Sequence, residues 1–395
     1  MLRRMGQQAA AAALKQRWEQ AEQDQECCGQ CGGELKSLGR RKRKLQTLCG
    51  GVEIERLVFY CPKCRRTQAC LDRQLGVDDS GMTPGLMRVV CRTALELPYQ
   101  QSEQLLADTL GFWPCSARQM ERLAKRQGRQ VEELADKQMG KQMSNVKGKQ
   151  TRGCKPIYVL AIDGTMIPGL PDPQQHRVDW HEVKLATIFD CRSIEPSLYV
   201  AGREDAEHFG ARLWRDMQLK SLSGESLCLI VADGAPWIWN LADTHFPGVP
   251  QLLDFYHAAE HLHATAEAVW GGAQAQRWWQ QRLDQLQQGE VGNFFAALKW
   301  LARRHDTTDP HVSPKRLLQY FNDNSQRLNY SGARKANLPI GSGTVESAAR
   351  HIVQQRLKQS GMRWSDPGAQ AVLNLRTCHR NGDFEQFWEN QAKCG

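Results

Sequence analysis

Two hydrophobic patterns organise the second half of the chain. Short runs that are apolar at consecutive positions predict strands covered on both faces, and they are PIYVLAID, EVKLATIFD, PSLYVAG, LCLIVAD and QLLDFY. Between them lie segments with apolar residues three or four positions apart, which predict helices. This alternation predicts an α/β domain over 156–395, interrupted at about 270–338 by a helical insertion, where strand signals stop.

The first half of the chain has a different organisation. Residues 1–25 predict a helix, 26–72 are rich in Cys, Gly and basic residues with short β-prone runs, and 80–140 return to helical spacing. A turn around Gly111 to Pro114, with Ser116 as a candidate N-cap, suggests a helix-turn-helix whose recognition helix is RQMERLAKRQGRQ. A helical hairpin without DNA-binding function would show the same pattern. The polar, basic stretch 141–155 predicts a linker.

Composition narrows the class of protein. The 395 residues are 41% hydrophobic with a mean hydropathy of −0.57, and no window holds the roughly 18 apolar residues that a membrane span requires. The alanine run near the N-terminus continues into a charged helical pattern, which argues against a signal peptide. A net charge of +9 favours a polyanionic partner such as nucleic acid. We therefore expect a cytoplasmic, nucleoid-associated protein without a membrane partner.

Four cysteines in two CxxC pairs predict a structural zinc site. Cys28 and Cys31 form the first pair, Cys61 and Cys64 the second, and β-prone segments separate the pairs. Thiolates presented by two turns make the closed tetrahedral site of a zinc ribbon. Cys27 is an alternative to Cys28, and buried cysteines without metal are the alternative to the whole site.

A run of five cations lies between the two cysteine pairs. It consists of Arg40, Arg41, Lys42, Arg43 and Lys44. On a ribbon made rigid by metal, such a run can grip DNA phosphates, although it gives no base specificity. A solvated charge run is the plainer interpretation.

Three carboxylates suggest catalytic chemistry. Asp163 and Asp233 each follow an apolar strand and precede a glycine turn, and Glu346 begins a helix after Gly341, Ser342 and Gly343. Oxygen ligands of this kind suit Mg²⁺ or Mn²⁺. Two such ions about 3.5–4 Å apart support phosphoryl transfer. Taken singly, each acid could equally cap a turn.

The sequence around these acids resembles a known family over most of the chain. The stretches that carry the resemblance are YVLAIDGTMIPG, VADGAPWIWNLADTHFPG, LLDFYHAAEHL and GSGTVESAARHIVQQRLKQSGMRW. They resemble the catalytic blocks of insertion-sequence transposases of the ISKra family. The resemblance implies a ribonuclease-H-like catalytic fold, a DDE triad at Asp163, Asp233 and Glu346, and a bacterial DNA transposase. It also implies action on the element's terminal repeats and on target DNA by a homodimer or higher oligomer.

The same resemblance suggests further site residues. Asp254 and His257 in LLDFYH resemble the D-x-x-H element of mutator-like transposases, which implies that His257 orients DNA or an ion. A structural histidine at a helix start is the alternative. Cations near the proposed metals, together with one aromatic residue, are candidate DNA contacts. These candidates are Arg350, Arg356, Lys358, Arg363 and Trp364. Solvated cations and a core tryptophan would be compatible with the same sequence.

Two rival functions remain open from the sequence. The first is a DNA-binding module on a decayed catalytic fold, and the second is a nuclease that hydrolyses DNA without transferring its ends. The intact acids argue against the first. Products joined to a target separate a transposase from the second.

Overall fold

A computed structural model describes residues 2–21, 27–144, 158–172, 174, 177–193, 196–222, 226–307 and 309–393. The strands are β1 (Lys36–Thr47), β2 (Gly50–Cys61), β3 (Arg66–Gln68), β4 (Tyr158–Pro171), β5 (Val178–Asp190), β6 (Pro196–Gly202), β7 (Leu227–Ala232) and β8 (Gln251–Leu253). The helices of the first half are α1 (Leu2–Ala21), α2 (Cys70–Gln74), α3 (Pro84–Glu96), α4 (Tyr99–Leu110) and α5 (Ala117–Ser144). Those of the second half are α6 (Ala206–Leu219), α7 (Pro236–His245), α8 (Phe255–Val269), α9 (Gly272–Gln288), α10 (Val291–Arg304), α11 (Pro314–Asp323), α12 (Tyr330–Lys335), α13 (Gly343–Ala348), α14 (Gln355–Leu357), α15 (Asp366–Arg380) and α16 (Phe384–Lys393).

The chain divides into two compact units, and their limits differ from the predicted domains. One unit contains Met1–Val131 and Asn374–Gly395, and the other contains Glu132–Leu373. The end of the predicted catalytic region therefore belongs to the first unit. Helix α5 also continues to Ser144, past the start of the linker predicted at 141, and residues 145–155 of that linker lie outside the described residues. Residues 22–25 of the predicted N-terminal helix lie outside them as well.

The first unit contains a three-stranded antiparallel sheet in the order β1-β2-β3. Alternate residues of its long hairpin, including Leu45, Val52 and Ile54, are buried. They pack with Leu71, Leu75 and Val77, and Ala10, Ala11 and Leu14 of α1 lie against this cluster. The small ribbon thus has an apolar face of its own, apart from its cysteines.

Helices α3, α4 and α5 follow the ribbon. Helix α4 ends at Gly111, whose φ of 71° is the left-handed C-cap conformation that glycine adopts readily. Ser116 begins α5 with a reciprocal cap, because its Oγ accepts from the backbone N–H of Gln119 and its own N–H donates to Gln119 Oε1. The turn and N-cap expected from the sequence are therefore present.

The second unit contains a five-stranded mixed sheet in the order β6-β5-β4-β7-β8. Strands β4, β5 and β6 are antiparallel neighbours, whereas β7 and β8 run parallel to β4. The runs 159–162 and 229–232 are buried, as expected for central strands covered on both faces. The predicted α/β class is confirmed, and the sheet proves to be mixed.

Between 270 and 338 the described residues form helices α9 to α12 and two short 3₁₀ turns, with no strand among them. The chain then returns to the sheet in a helical segment from Gly343 to Leu357. That segment begins as α13, widens to a π-helical turn over Ala349–Gln354, and ends as α14.

Candidate active site

The sheet register places two of the predicted acids side by side. Ile162 on β4 is the partner of Ala232 on the neighbouring parallel strand β7. Strand β7 ends at Ala232, so Asp233 follows its carboxyl end, as predicted. Strand β4 continues to Pro171, and Asp163 within it still pairs with β5, so the strand end and glycine turn predicted at Asp163 are wrong. The two acids therefore meet where the pairing of β4 with β7 stops.

A tight turn orients Asp233. Its Oδ1 accepts a hydrogen bond of 3.0 Å from the backbone N–H of Ala235, and Gly234 between them has a φ of 101°. A side chain at Gly234 would be strained and would also approach Leu253 Cδ1 to 2.9 Å. The hydroxyl of Tyr320, on α11, donates to the Asp233 carbonyl oxygen at 2.8 Å. The glycine after the second acid is therefore needed for the shape of this turn.

Glu346 reaches the site from α13, which packs against β4 and β5. Val345 is fully buried beneath it, and the hydroxyls of Thr344 and Thr187 are 3.1 Å apart. Glu346 itself is exposed. One face of this short helix is thus anchored on the sheet while the carboxylate stays accessible.

The charges that act on Asp163 are those of the other predicted site residues. Burial raises the pKa of Asp163 to about 6, and the negative charges of Asp233 and Glu346 contribute to that increase, against a lowering by the Gly164 N–H and by His257. These interactions link all three predicted acids and His257. Carboxylates that repel one another, in a partly desolvated pocket, form the hard oxygen donor set that a divalent cation would neutralise.

His257 lies in the first turn of α8, close to two neighbouring side chains. Its ring is 4.9 Å from the ring of His261, and Nδ1 is 3.8 Å from Glu260. His261 in turn lies 4.5 Å from the ring of Tyr320. The charge of His257 also acts on Asp163, so this histidine lies near that acid.

Three polar residues around the acids were not singled out from the sequence. Tyr320 contacts the Asp233 turn, and buried Asn324 accepts from Trp239 Nε1 at 2.9 Å and donates to the Tyr320 carbonyl at the same distance. Ser342 is bound by Asp254. The sequence contains one indication for Ser342, which is its place in the GSG segment before Glu346. Tyr320 lies in an ordinary amphipathic helix and Asn324 caps its end, and neither position gives such a signal.

The four predicted zinc ligands lie together in the first unit. The Sγ atoms of Cys28, Cys31, Cys61 and Cys64 all lie within 4.8 Å of one another. The Cys28–Cys64 and Cys31–Cys61 distances are 3.9 Å and 3.6 Å. Tetrahedral zinc with Zn–S bonds of about 2.3 Å requires sulfur atoms about 3.8 Å apart. The cluster can therefore hold a metal such as zinc.

Backbone hydrogen bonds prepare one of these thiols for metal binding. The N–H groups of Gln30 and Cys31 lower the pKa of Cys28 to about 6. Cys27, the alternative ligand considered from the sequence, is exposed and outside the cluster.

The basic run of the ribbon lies on β1, where successive side chains point to opposite faces. Arg43 pairs with Asp72 at 2.5 Å, and Lys42 pairs with Glu53 at 2.9 Å. Arg41 and Lys44 are exposed. The structure thus divides the run between two faces and gives part of it acidic partners, so the five cations do not form one continuous phosphate-binding row.

The cations that follow Glu346 also divide into two groups. Arg350 and Arg363 are exposed, and half-buried Lys358 lies 3.5 Å from Thr165 Oγ1. Arg356 and Trp364, by contrast, are buried, with the guanidinium 5.0 Å from the centre of the indole ring.

Trp364 also donates two hydrogen bonds. Its Nε1 donates to the Leu357 carbonyl at 3.0 Å, and its backbone N–H donates to Pro168. Arg356 and Trp364 were expected to contact DNA, but the structure places them in the core, where they have almost no surface to offer. The widened π turn shifts the positions after Arg350 by a fraction of a turn relative to a regular α-helix, which sequence spacing does not show.

Comparisons with known proteins do not assign this chain to a family. No protein-family model and no curated protein matches the chain. A solved structure of the Drosophila P element transposase strand transfer complex is similar over 76% of this chain and 79% of that chain, with 10% identity and a TM-score of 0.27. A similarity at this level does not by itself assign a function, and membership of the ISKra family stays a prediction. In the part of the chain that the structure describes, no helix has the length and apolar character needed to cross a bilayer.

Proposed function

We propose that this chain is a DNA transposase of the insertion-sequence type, with a ribonuclease-H-like catalytic domain. The observation that carries the proposal is the proximity of Asp163, Asp233 and Glu346, predicted from three distant stretches of sequence, where the pairing of β4 with β7 stops. In addition, the antiparallel strands β4 to β6 followed by parallel strands β7 and β8 agree with the fold that the sequence resemblance implies.

The three carboxylates would hold Mg²⁺ or Mn²⁺. Bound in pairs, such ions activate an attacking oxygen and stabilise the leaving oxygen in phosphoryl transfer. Asp163 and Asp233 would fix this site to the rigid sheet, and exposed Glu346 would complete it from α13. His257 lies beside them and would orient the DNA phosphate or the attacking water.

Other parts of the chain would bind and position DNA. The four-cysteine ribbon would be a structural zinc module, and the helical region around α5 would contact the element's terminal repeats. Arg350, Lys358 and Arg363 are the cations after Glu346 that remain available for phosphate contacts. Joining two ends in one complex would require a dimer or higher oligomer, acting on a bacterial chromosome at the nucleoid.

A cleavage and strand-transfer assay tests this function. Zinc-loaded protein is incubated with labelled DNA from the flanks of its gene and with a target plasmid, in Mg²⁺ or in EDTA. We expect Mg²⁺-dependent nicks at defined ends and products joined to the plasmid. Both should vanish with Asp233→Asn and persist with Asp284→Asn, a charge-matched change at an exposed residue of the insertion that binds Gln280.

The same assay separates the rival functions. Cleavage without joined products would indicate a nuclease. DNA binding that is unchanged by Asp233→Asn, with no cleavage in Mg²⁺ or Mn²⁺, would contradict catalysis and favour a DNA-binding module.

A further inference from the structure

Asp254 is a buried carboxylate with an unusually complete set of donors. It is 1% exposed and follows β8 directly, as the N-cap of α8. Its Oδ1 accepts from the backbone N–H groups of Tyr256 at 2.7 Å and His257 at 3.0 Å. Its Oδ2 accepts from the N–H of Ser342 at 2.6 Å and also from the Ser342 hydroxyl. One oxygen thus caps a helix while the other binds a segment distant in sequence.

The backbone around Asp254 connects the same elements. The Asp254 N–H donates to the carbonyl of Ala232 at 2.7 Å, directly before Asp233, and the Phe255 N–H donates to Ile340 at 2.9 Å. Ser342 is the residue on which α13 begins, and its carbonyl accepts from the N–H of Glu346 at 3.2 Å. A chain of hydrogen bonds therefore leads from the second acid through Asp254 to the third.

We propose that Asp254 is a positioning residue that sets the place of Glu346 relative to the other acids, by clamping Ser342. The inference rests on the proposed function for its catalytic consequence, but the clamp itself is a structural claim. Without it, α13 would keep Val345 and Thr344 on the sheet, yet the turn that fixes the start of the helix would be free to shift. A carboxylate that moves by about 1 Å no longer meets the geometry of a Mg²⁺ site.

Only a carboxylate satisfies these donors. Three backbone N–H groups converge on Asp254, and each must find an acceptor when it is buried. An asparagine has a single acceptor oxygen, so its NH₂ group must face either the α8 cap or Ser342. The NH₂ group should face Ser342, because the Ser342 hydroxyl can rotate to accept from it whereas the two N–H groups of the cap can only donate. Asp254→Asn should therefore keep the cap and leave the Ser342 N–H without its acceptor, which loosens the clamp. Ser342→Ala is the milder variant, because it removes the hydroxyl and keeps the backbone bond.

The first experiment measures hydrogen–deuterium exchange without metal. Peptides that cover 340–348 should exchange roughly tenfold faster or more in Asp254→Asn, with an intermediate effect in Ser342→Ala. Asp205→Asn is the matched control, since Asp205 caps α6 through the His208 N–H and forms no clamp. Unchanged exchange over 340–348 in both clamp variants overturns the proposal, whatever the protein's function.

The second experiment measures Mn²⁺ affinity by calorimetry. Asp254→Asn should weaken binding by roughly 10- to 100-fold, in the range found for residues that support metal ligands. If Asp254 acts through Glu346, the same change in a Glu346→Gln background should add less than about twofold. Equal losses in the two backgrounds would overturn the positioning role and indicate a general effect on the fold. Wild-type protein that binds no Mn²⁺ at these acids would count against the proposed function alone, because the exchange experiment still decides the clamp.

Discussion

Asp163 lies in a partly desolvated position beside two other acids, so its ionised form is unfavourable in the metal-free protein. Burial, Asp233 and Glu346 together raise its pKa to about 6. Between its ordinary pKa and 6 the folded state holds a proton that the unfolded state has lost. The free energy of unfolding should therefore increase as the pH falls from 7 towards 4.

Asp163→Asn should remove this pH dependence and stabilise the metal-free protein at pH 7. The shift corresponds to about 2 kcal/mol after allowance for the part of the side chain that water reaches. Urea unfolding in EDTA at pH 7 and pH 5 measures the effect. Parallel pH profiles for the wild type and the variant would show that the acids do not interact as described. Mg²⁺ should reverse the order, because it stabilises only the protein whose carboxylates bind it.

The cysteines allow a comparison between a predicted zinc ligand and a cysteine outside the cluster. Cys61 is a buried member of the four-thiol cluster, whereas exposed Cys27 lies outside it. Cys61→Ser should lose stoichiometric zinc and expose 27–72 to proteases, since zinc binding supplies about 10 kcal/mol or more to the folding of such modules. Cys27→Ser should keep both zinc content and resistance. Zinc analysis with limited proteolysis checks this, and zinc retained by Cys61→Ser would disprove the ligand assignment.

At the scale of elements, α11 shows how the helical insertion supports the site. Tyr320 donates to the Asp233 carbonyl, and Asn324, which follows α11, binds the Tyr320 carbonyl and Trp239 of α7. Tyr320→Phe removes one hydroxyl that donates to the Asp233 carbonyl. We expect a loss of about 1–2 kcal/mol in stability and weaker Mn²⁺ binding, because a half-buried carbonyl loses its donor.

Helix α11 contains no second tyrosine, so the control for Tyr320→Phe is a tyrosine in the sheet. Tyr199 on β6 is partly buried and remote from Asp233 in the sheet order. Tyr199→Phe should leave Mn²⁺ affinity unchanged. Calorimetric titration measures the Mn²⁺ affinity of both variants. Equal affinities would show that α11 does not support the turn at Asp233.

Strand β1 separates the five consecutive cations of the basic run onto two faces. Five consecutive cations suggest one basic surface, but the twofold repeat of a strand sends neighbours to opposite faces. Arg43 then meets Asp72, which also binds Arg56 at 2.8 Å, so these charges stabilise the ribbon. If this strand contacts DNA phosphates, we expect the exposed cations, such as Arg41 and Lys44, to make most of the contacts.

At the scale of the whole molecule, the net charge of +9 predicts DNA binding that weakens with salt. If exposed Arg350 and Arg363 each neutralise a phosphate, replacing both with Ala should reduce the slope of log K against log salt by about 1.8. Arg192→Ala is the control, because Arg192 follows the end of β5 that pairs with the start of β4, away from Asp163. Fluorescence anisotropy over a salt series gives the slopes. An unchanged slope in the double variant would exclude these two arginines from the DNA interface.

The local pattern of the sequence was sufficient for several features. Continuous apolar runs predicted strands β4 to β8, because strands covered on both faces must be apolar at successive positions. The CxxC spacing predicted the thiol cluster, because two such turns bring four sulfur atoms within reach of one ion. Asp233 follows the end of β7, as predicted, whereas the strand end predicted at Asp163 is wrong, because β4 continues past it to Pro171. The two acids meet because β4 and β7 are parallel neighbours.

Other features depend on contacts between residues far apart in sequence. Arg356 and Trp364 were expected at the DNA surface but are buried, because the packing of α13 and the π turn on the sheet decides which face of that segment is covered. The capping role of Asp254 belongs to α8 alone, but its clamp on Ser342 exists only when the fold brings 340–342 beside it. Tyr320 and Asn324 likewise acquire a role only through the position of α11. Sequence periodicity describes each element singly, whereas the burial and partners of a polar side chain are set by the elements that pack against it.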